Sequence, residues 1–401
     1  MITREIAAGV HVFSIDDRTT ALFEGLWPIR NEGITYNSYL IRDAKNVLID
    51  LTPESSTTSL LDAVAKLVDL QKIDYVVVNH MEPDHTAALK TLIRIAPKLQ
   101  VLCTPTATPM LRSFYGITQG IKEVEDGEEL SIGSRKLVFH HTPLLHWPET
   151  MVTYEPEKKI LFCTDVFGGY GAQPEVLFDD ETNDLEFYVR ESLRYYSNVI
   201  AKFSSQVAKM VARLRKLPVS IVAPGHGLLW RKNPSRIIDL YAKWADYAKG
   251  SGDVGVTLLY ASMYGNTAEA MSSVLRGIGS ESLPVNVFDV AQASLSHILP
   301  SLWTNAGVVI GSPTYEGNLF PSVLHVLTDA GNKNYLNKKV AFFGSWAWSS
   351  GALREARKLV EPWNWQIVDT FEFEGTARDE VLERAFTFGA SFARQLRASR
   401  R

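Results

Sequence analysis

The sequence predicts two consecutive α/β units: a sandwich of sheets flanked by helices over residues 1–250, then a doubly wound parallel sheet over residues 251–401. Three observations carry this reading. At 401 residues the chain exceeds one ordinary core. Its first part reads as short apolar strands with occasional helices, whereas its last part alternates strand and helix regularly. Between them lies Lys249-Gly-Ser-Gly-Asp-Val-Gly255, rich in glycine and without hydrophobic periodicity, the best linker in the chain.

In the first part, strands are expected at Tyr36–Ile41, Val47–Asp50, Tyr75–Val78, Val101–Thr104, Lys136–His141, Met151–Tyr154, Ile160–Thr164 and Ser220–Ala223. Several are continuous apolar runs followed at once by polar residues, as strands buried on both faces should be. Helical periodicity covers Ser59–Leu67, Ala87–Ile95 and Asn198–Leu214. After the linker, strands are expected at Val254–Tyr260, Val285–Val290, Gly307–Gly311, Val340–Gly344 and Gln366–Phe371, with helices at Thr267–Ile278, Pro321–Asp329, Gly351–Val360 and Arg378–Leu396. Five strands alternating with helices argue for a parallel sheet wound on both faces.

Composition narrows the class. The chain is 46% apolar and 21% charged, as a globular protein should be. A net charge of -4 provides no polyanion-binding signature, so nucleic acid is not an expected partner. The basic residues Arg394, Arg397, Arg400 and Arg401 read as a solvated helix end that complements the helix dipole. Arg4 and Glu5 sit where a signal peptide needs an apolar core, and no later run is long enough to span a bilayer. The two cysteines, Cys103 and Cys163, form no CxxC pair, which excludes a disulfide framework, a zinc ribbon and a rubredoxin-type iron site within this sequence. A reducing cytoplasm is the expected location, with no membrane partner.

The most informative segment is Tyr75-Val-Val-Val-Asn-His80-Met-Glu82-Pro-Asp84-His85. A buried strand ends, and four potential metal ligands follow within six positions. Any one of them alone reads more simply as part of a polar turn; four at H-x-E-x-D-H spacing do not. His146 lies just past a strand, Asp165 ends Ile160–Thr164, and His226 ends another strand between two glycines. Seven candidate ligands thus sit at strand ends, where a rigid sheet can hold them. His140 and His141 are adjacent on a strand, so at most one faces inward, and His11, His297 and His325 stand alone. Cys163 reads as a small core residue.

In the second unit, Ser262-Met263-Tyr264-Gly265-Asn266-Thr267 leads from the first strand into a helix. Hydroxyls and N–H groups at a helix N-terminus suit a phosphate monoester, although the same residues are ordinary helix caps. The loop lacks the GxGxxG glycines of dinucleotide sites, which points to a mononucleotide. Two further strand ends carry Pro313, Thr314, Tyr315, Gly317 and Asn318, and Ser345, Trp346, Ala347 and Trp348. Thr314, Tyr315, Asn318 and Ser345 are placed to hydrogen-bond an isoalloxazine edge while Trp346 or Trp348 packs on it. The competing reading makes the tryptophans core residues. Together the three loops look like a flavodoxin-type FMN site.

The ligand order H-x-E-x-D-H, H, D, H resembles the metallo-β-lactamase superfamily, with Glu82 where its zinc hydrolases generally have His. An added carboxylate is a hard donor that favours iron over zinc. A metallo-β-lactamase-like αββα sandwich followed by a flavodoxin-like domain is similar to the flavodiiron protein family. The similarity spans the chain through Gly33-Ile-Thr-Tyr-Asn37, His80–His85, Leu145-His-Trp-Pro148, Gly225-His-Gly227 and Ser262–Thr267. It implies an oxidoreductase with two irons and FMN that reduces dioxygen to water, nitric oxide to nitrous oxide, or both. His80, Glu82 and His146 would hold one iron, Asp84, His85 and His226 the other, with Asp165 bridging; in some family members the counterpart of His85 turns away. Tyr195-Tyr196 matches a tyrosine-containing family segment, read either as a proton donor near the metals or as core. Electrons are expected from an external rubredoxin-like protein or a reduced deazaflavin, and the assembly is expected to be a head-to-tail homodimer or a dimer of dimers. The alternatives are a binuclear zinc hydrolase with an appended flavodoxin-like domain and a carrier in which only the flavin functions.

Overall fold

The computed structural model describes residues 1–250 and 252–399. The chain forms two compact units, Met1–Lys243 and Trp244–Arg401. This division falls within the helix Pro234–Asp246, ahead of the expected linker, whose Ser251 lies outside the described residues. The reason is local: the carbonyl of Trp244 accepts the Trp303 indole N–H at 3.0 Å, and the Tyr247 hydroxyl donates to Asp253 Oδ2 at 2.7 Å. The end of that helix is therefore tied into the second unit.

The first unit begins with β1 (Ile2–Ala7) and β2 (Val10–Asp17), then a small hairpin of β3 (Leu22–Phe23) and β4 (Trp27–Pro28). There follow β5 (Ile34–Arg42), β6 (Asn46–Ile49), β7 (Ile73–Val77), β8 (Gln100–Cys103) and β9 (Ile121–Glu123). Apart from the hairpin, these make a seven-stranded sheet in the order β1-β2-β5-β6-β7-β8-β9. A second sheet holds β10 (Glu129–Ser131), β11 (Lys136–His141), β12 (Met151–Glu155), β13 (Ile160–Thr164) and β14 (Ile221–Pro224) in sequence order. Val12, Tyr39, Ile49 and Val77 of the first sheet share a buried core with Phe139, Phe162 and Ala223 of the second. Each fully buried aliphatic or aromatic side chain there contributes about 1.5–3 kcal/mol.

All eight expected strands form, some shifted by one or two residues at their ends. Of the strands not foreseen, β1 lies at the sheet edge and β3, β4, β9 and β10 are two or three residues long, whereas β2 is a buried eight-residue strand paired on both sides. β1 alternates exposed and half-buried residues at the sheet edge, so its apolar signal is weak. The segment expected to be one helix over 198–214 is instead a π-helical turn, Tyr196–Ile200, a 3₁₀ turn, Ala201–Phe203, and an α-helix, Ser204–Leu214.

In the second unit, β15 (Asp253–Tyr260), β16 (Val285–Asp289), β17 (Asn305–Gly311), β18 (Lys339–Trp346) and β19 (Gln366–Glu374) form one sheet ordered β16-β15-β17-β18-β19. Every pairing is parallel. The strand order reverses at β15/β17, the switch point where such sheets bind ligands. Helices Asn266–Ser280 and Asp379–Ala398 pack closely, because a Cβ on Gly277 or Gly389 would collide with the facing backbone at Phe386 or Val274. The C-terminal arginines are not simply solvated: Arg394 pairs with Glu281 at 2.8 Å, and Arg397 donates to the Glu281 carbonyl. Arg400 and Arg401 lie outside the described residues. No helix among the described residues is long and apolar enough to cross a membrane.

Candidate metal centre and flavin cleft

The candidate ligands arrive from four strand ends that hydrogen bonds lock together. β7 runs out at Asn79-His80, and Asp50, just past β6, accepts from Asn79 N at 2.8 Å and Nδ2 at 3.1 Å. Asn79 Oδ1 accepts from Thr153 on the opposite sheet at 2.7 Å. Glu82 leads into a helical turn, Pro83–Thr86, that carries Asp84 and His85. The loop bearing His146 is closed by Thr150, whose hydroxyl donates toward the Thr142 and Trp147 carbonyls. The turn bearing His226 is clamped by β5: Asn37 Nδ2 donates to the Pro224 and Gly227 carbonyls, and Gly227 N donates to Thr35 Oγ1 at 2.8 Å. This explains the Gly33–Asn37 segment physically, as a clamp on a ligand turn.

The seven expected residues fall into two groups. His80, Glu82, His146 and Asp165 place one ligand atom each within 4.8 Å of one another, and so do Asp84, His85 and His226. Glu82 Oε2 stands 3.1 Å from both His80 Nε2 and His146 Nε2. Asp84 Oδ1 is 3.6 Å from His85 Nε2, and its Oδ2 is 3.4 Å from His226 Nε2. Asp165 faces both groups: Oδ2 lies 3.3 Å from His80 and 3.1 Å from His146, while Oδ1 lies 2.8 Å from His85 and 3.3 Å from His226.

Charge explains the protonation pull of the site. Burial alone lowers each imidazole, but Asp165 and the neighbouring carboxylates reverse it, raising His80 and His85 and pushing His146 up to about 9 and His226 up to about 10. Burial would raise Glu82 and Asp165, yet the surrounding histidines hold Glu82 down at about 2 and Asp165 well below its usual range. Such a cluster demands positive charge, which a metal cation supplies. Both Asp84 oxygens, Asp165 Oδ2 and His226 Nε2 are buried without a hydrogen-bond partner, as metal-facing atoms should be. Four imidazoles with three carboxylates are a donor set suited to a pair of iron ions.

Two groups bonded to the ligand rings escaped the sequence reading. Glu149 Oε1 lies 2.8 Å from His80 Nδ1, and the Thr35 carbonyl lies 2.8 Å from His226 Nδ1. Glu149 stands three residues after His146, beside the His-Trp-Pro motif, but its type alone reads as a surface residue. The hairpin also brings Glu24 to the site mouth, held by the Trp27 indole at 2.9 Å, with Oε1 3.9 Å from His146 Nε2. A pocket of about 330 Å³, lined by Phe23, Glu24, Tyr36, Glu82 and Asp84, opens there.

The remaining candidates separate. The Tyr195 ring lies 5.8 Å from His226 with its buried hydroxyl unpartnered, whereas Tyr196 bonds Ser204 at 2.7 Å. His140 accepts from Arg213, His141 bonds the Val124 carbonyl, and Cys163 is buried core.

In the second unit, a cleft of about 250 Å³ sits at the carboxyl ends of β15, β17 and β18. The expected loops line it, except that Gly265 and Asn318 only shape their turns: Gly265 precedes the helix at φ 95°, and Asn318 pairs with the Tyr315 backbone. Glu316, Ser349 and Gly375 line it as well and were not foreseen. Ser262 Oγ accepts from Gly265 N and Ala268 N, and Thr267 Oγ1 meets Ser345 Oγ at 2.8 Å. First-turn N–H groups at Asn266 and Thr267, which no helix satisfies internally, are suited to a phosphate. Trp348 is 87% exposed and Tyr264 89%, so Trp348 is not a core residue; together they make an aromatic rim.

A sandwich of two sheets with a binuclear His/carboxylate centre, joined to a flavodoxin-like sheet, defines the class. Residues 34–227 match the family model described as ODP family beta lactamase. The chain is 32% identical over 370 residues to an anaerobic nitric oxide reductase flavorubredoxin from Enterobacter sp. (strain 638), covering 90% of this chain and 76% of that one. It resembles the solved rubredoxin oxygen:oxidoreductase of Desulfovibrio gigas, with a TM-score of 0.93, 25% identity and 99% of each chain covered. Against the flavodiiron protein of Giardia intestinalis, the TM-score is 0.92 at 28% identity, covering 99% of this chain and 97% of that one. The chain belongs to the flavodiiron protein family.

Proposed function

We propose that this protein is an oxidoreductase that reduces dioxygen to water, nitric oxide to nitrous oxide, or both. The observation that carries it is Asp165, whose two oxygens face two separate His/carboxylate groups. His80, Glu82 and His146 would hold one iron and Asp84, His85 and His226 the other, with Asp165 facing both groups; the β15, β17 and β18 loops would hold FMN. When bound, two irons and a flavin would supply the four electrons that convert dioxygen and four protons to two waters, or the two that, with two protons, convert a pair of nitric oxides to nitrous oxide and one water. The chain's residues do the rest: the sheets fix the ligand atoms, the Thr35 carbonyl holds the His226 ring, and Phe23 and Tyr36 line the pocket that leads to the site. Two of the relatives described above are named as a nitric oxide reductase and an oxygen:oxidoreductase, so zinc hydrolysis is not favoured. Metal and flavin analysis followed by rapid mixing of the reduced protein with each gas tests the reading. Two zinc ions in protein from iron-replete cells, with hydrolase activity, would sink it.

The electron donor in this reading is an external rubredoxin-like protein or a reduced deazaflavin, in the cytoplasm. The assembly is a head-to-tail dimer in which the flavin of one chain serves the irons of its partner. Exchange of subunits between Asp165→Ala protein and a flavin-dead variant tests this. Half the dimers become mixed, each with one intact pairing, so activity should return to roughly a quarter of wild type. Zero recovery with exchange confirmed by mass rules the arrangement out.

A further inference from the structure

Glu149 stands behind His80, in a place where a carboxylate needs a physical reason. Its side chain is wholly buried, and among the described residues its one ionic partner is His80. A buried carboxylate is costly unless its charge is compensated. One oxygen, Oε1, receives two N–H groups, His80 Nδ1 and Met81 N, each at 2.8 Å. The other oxygen, Oε2, has no hydrogen-bond partner. The residue's own carbonyl is fixed by Thr104 Oγ1 at 2.8 Å, so the carboxylate is aimed rather than mobile.

The geometry specifies what this accomplishes. With Nδ1 donating to Glu149, the His80 ring presents the Nε2 lone pair to Glu82 Oε2 and Asp165 Oδ2, 3.1 and 3.3 Å away. The backbone bond at Met81 fixes the strand-end loop at the next residue, so one oxygen sets both ring angle and loop position. Glu82, Asp84 and Asp165 bring carboxylates to the two groups directly, and Glu149 adds another behind His80.

We propose that Glu149 is a positioning residue for the metal group of His80, Glu82 and His146: it fixes the His80 tautomer and ring, and its charge stabilises the oxidised metal. The inference rests on the di-iron reading above. Carboxylates behind metal-bound histidines act in this way, and removing one costs about 10–100-fold in metal affinity.

The test uses the flavin-loaded, metal-loaded protein and two variants. Glu149→Gln keeps an acceptor oxygen for both N–H groups and removes only the charge; Glu149→Leu removes both. Circular dichroism melts establish that each is folded. Metal loss to a competing chelator and the midpoint potential of the metal centre, followed by its EPR signal, are then compared with wild type. In Glu149→Gln we expect the potential to shift upward, with modest loss to chelator. In Glu149→Leu, if folded, we expect metal retention about 10–100-fold weaker, confined to one of the two ions. If Glu149→Leu does not fold, Glu149→Gln alone decides. An unchanged potential and unchanged chelator resistance in folded Glu149→Gln overturn the proposal. Wild-type metal content separates this from failure of the functional reading: zinc in place of iron sinks that reading, while the chelator comparison still decides whether Glu149 supports the metal.

Discussion

Replacing Gly225 with Ala asks whether His85 holds metal. Gly225 lies in the turn after β14, and its φ is outside the left-handed region, so alanine suits the backbone. The new Cβ would sit 2.6 Å from His85 Cε1 and 3.2 Å from Nδ1. Carbon atoms rest at about 3.5–4.0 Å, so the imidazole must retreat by about 1 Å. Its Nε2 now stands 2.8 Å from Asp165 Oδ1 and 3.6 Å from Asp84 Oδ1, a spacing in which a shared cation has little slack. Metal–ligand distances tolerate about 0.2 Å, so the shift is about fivefold too large. The second group should lose a ligand, and iron should fall from two toward one per flavin, with gas reduction falling alongside. Overpacking should also cost about 1–3 kcal/mol of stability, visible as a lowered melting temperature. The assay is iron per FMN by mass spectrometry, with oxygen and nitric oxide consumption on the same preparations. His85→Ala, which removes the ring without crowding, should show the same iron loss. A Gly225→Ala protein with a lowered melting temperature, two irons and wild-type turnover would refute the reasoning, because the ring would then have moved without consequence.

Asp165→Ala should abolish gas reduction while leaving a normal flavin spectrum, since the flavin loops belong to the other unit; retained turnover would place the chemistry elsewhere. Ser262→Glu with Thr267→Glu should expel FMN but leave iron bound, because two carboxylates at a helix N-terminus repel the phosphate; unchanged flavin occupancy would move the phosphate site. Glu191 offers a pH test: burial, with Glu32 adding and Arg194 opposing, pushes its carboxyl up to about 7 from 4.5. The fold disfavours its ionised form, so this penalty is absent below pH 4.5, grows as pH rises and is complete above 7. Glu191→Gln should therefore be more stable than wild type at pH 8, by at most about 3 kcal/mol, and gain nothing at pH 4.5, as read from denaturant melts at both values.

Much of this protein was legible in its sequence because the features are local. A buried parallel strand is a continuous apolar run, and a ligand loop at its end is a burst of polar residues; Tyr75 to His85 shows both within a few positions. The same holds for Ser262–Thr267 before its helix. The pairing of sheets was not legible, because β1 carries a weak apolar pattern at the sheet edge and β9 and β10 are three residues each. Nor was the helix break at Tyr196–Ile200, whose apolar periodicity is compatible with either winding.

The sequence alone determined the class of donor atoms, their order and the strand ends that carry them, because side-chain chemistry and strand periodicity are properties of neighbouring residues. Only tertiary structure decided that Asp165 faces both groups, that Asn37 clamps the His226 turn from 187 to 190 residues away, and that Glu149 stands behind His80. Those relations depend on how two sheets stack and how chain segments far apart in sequence meet. No spacing along the chain encodes that directly.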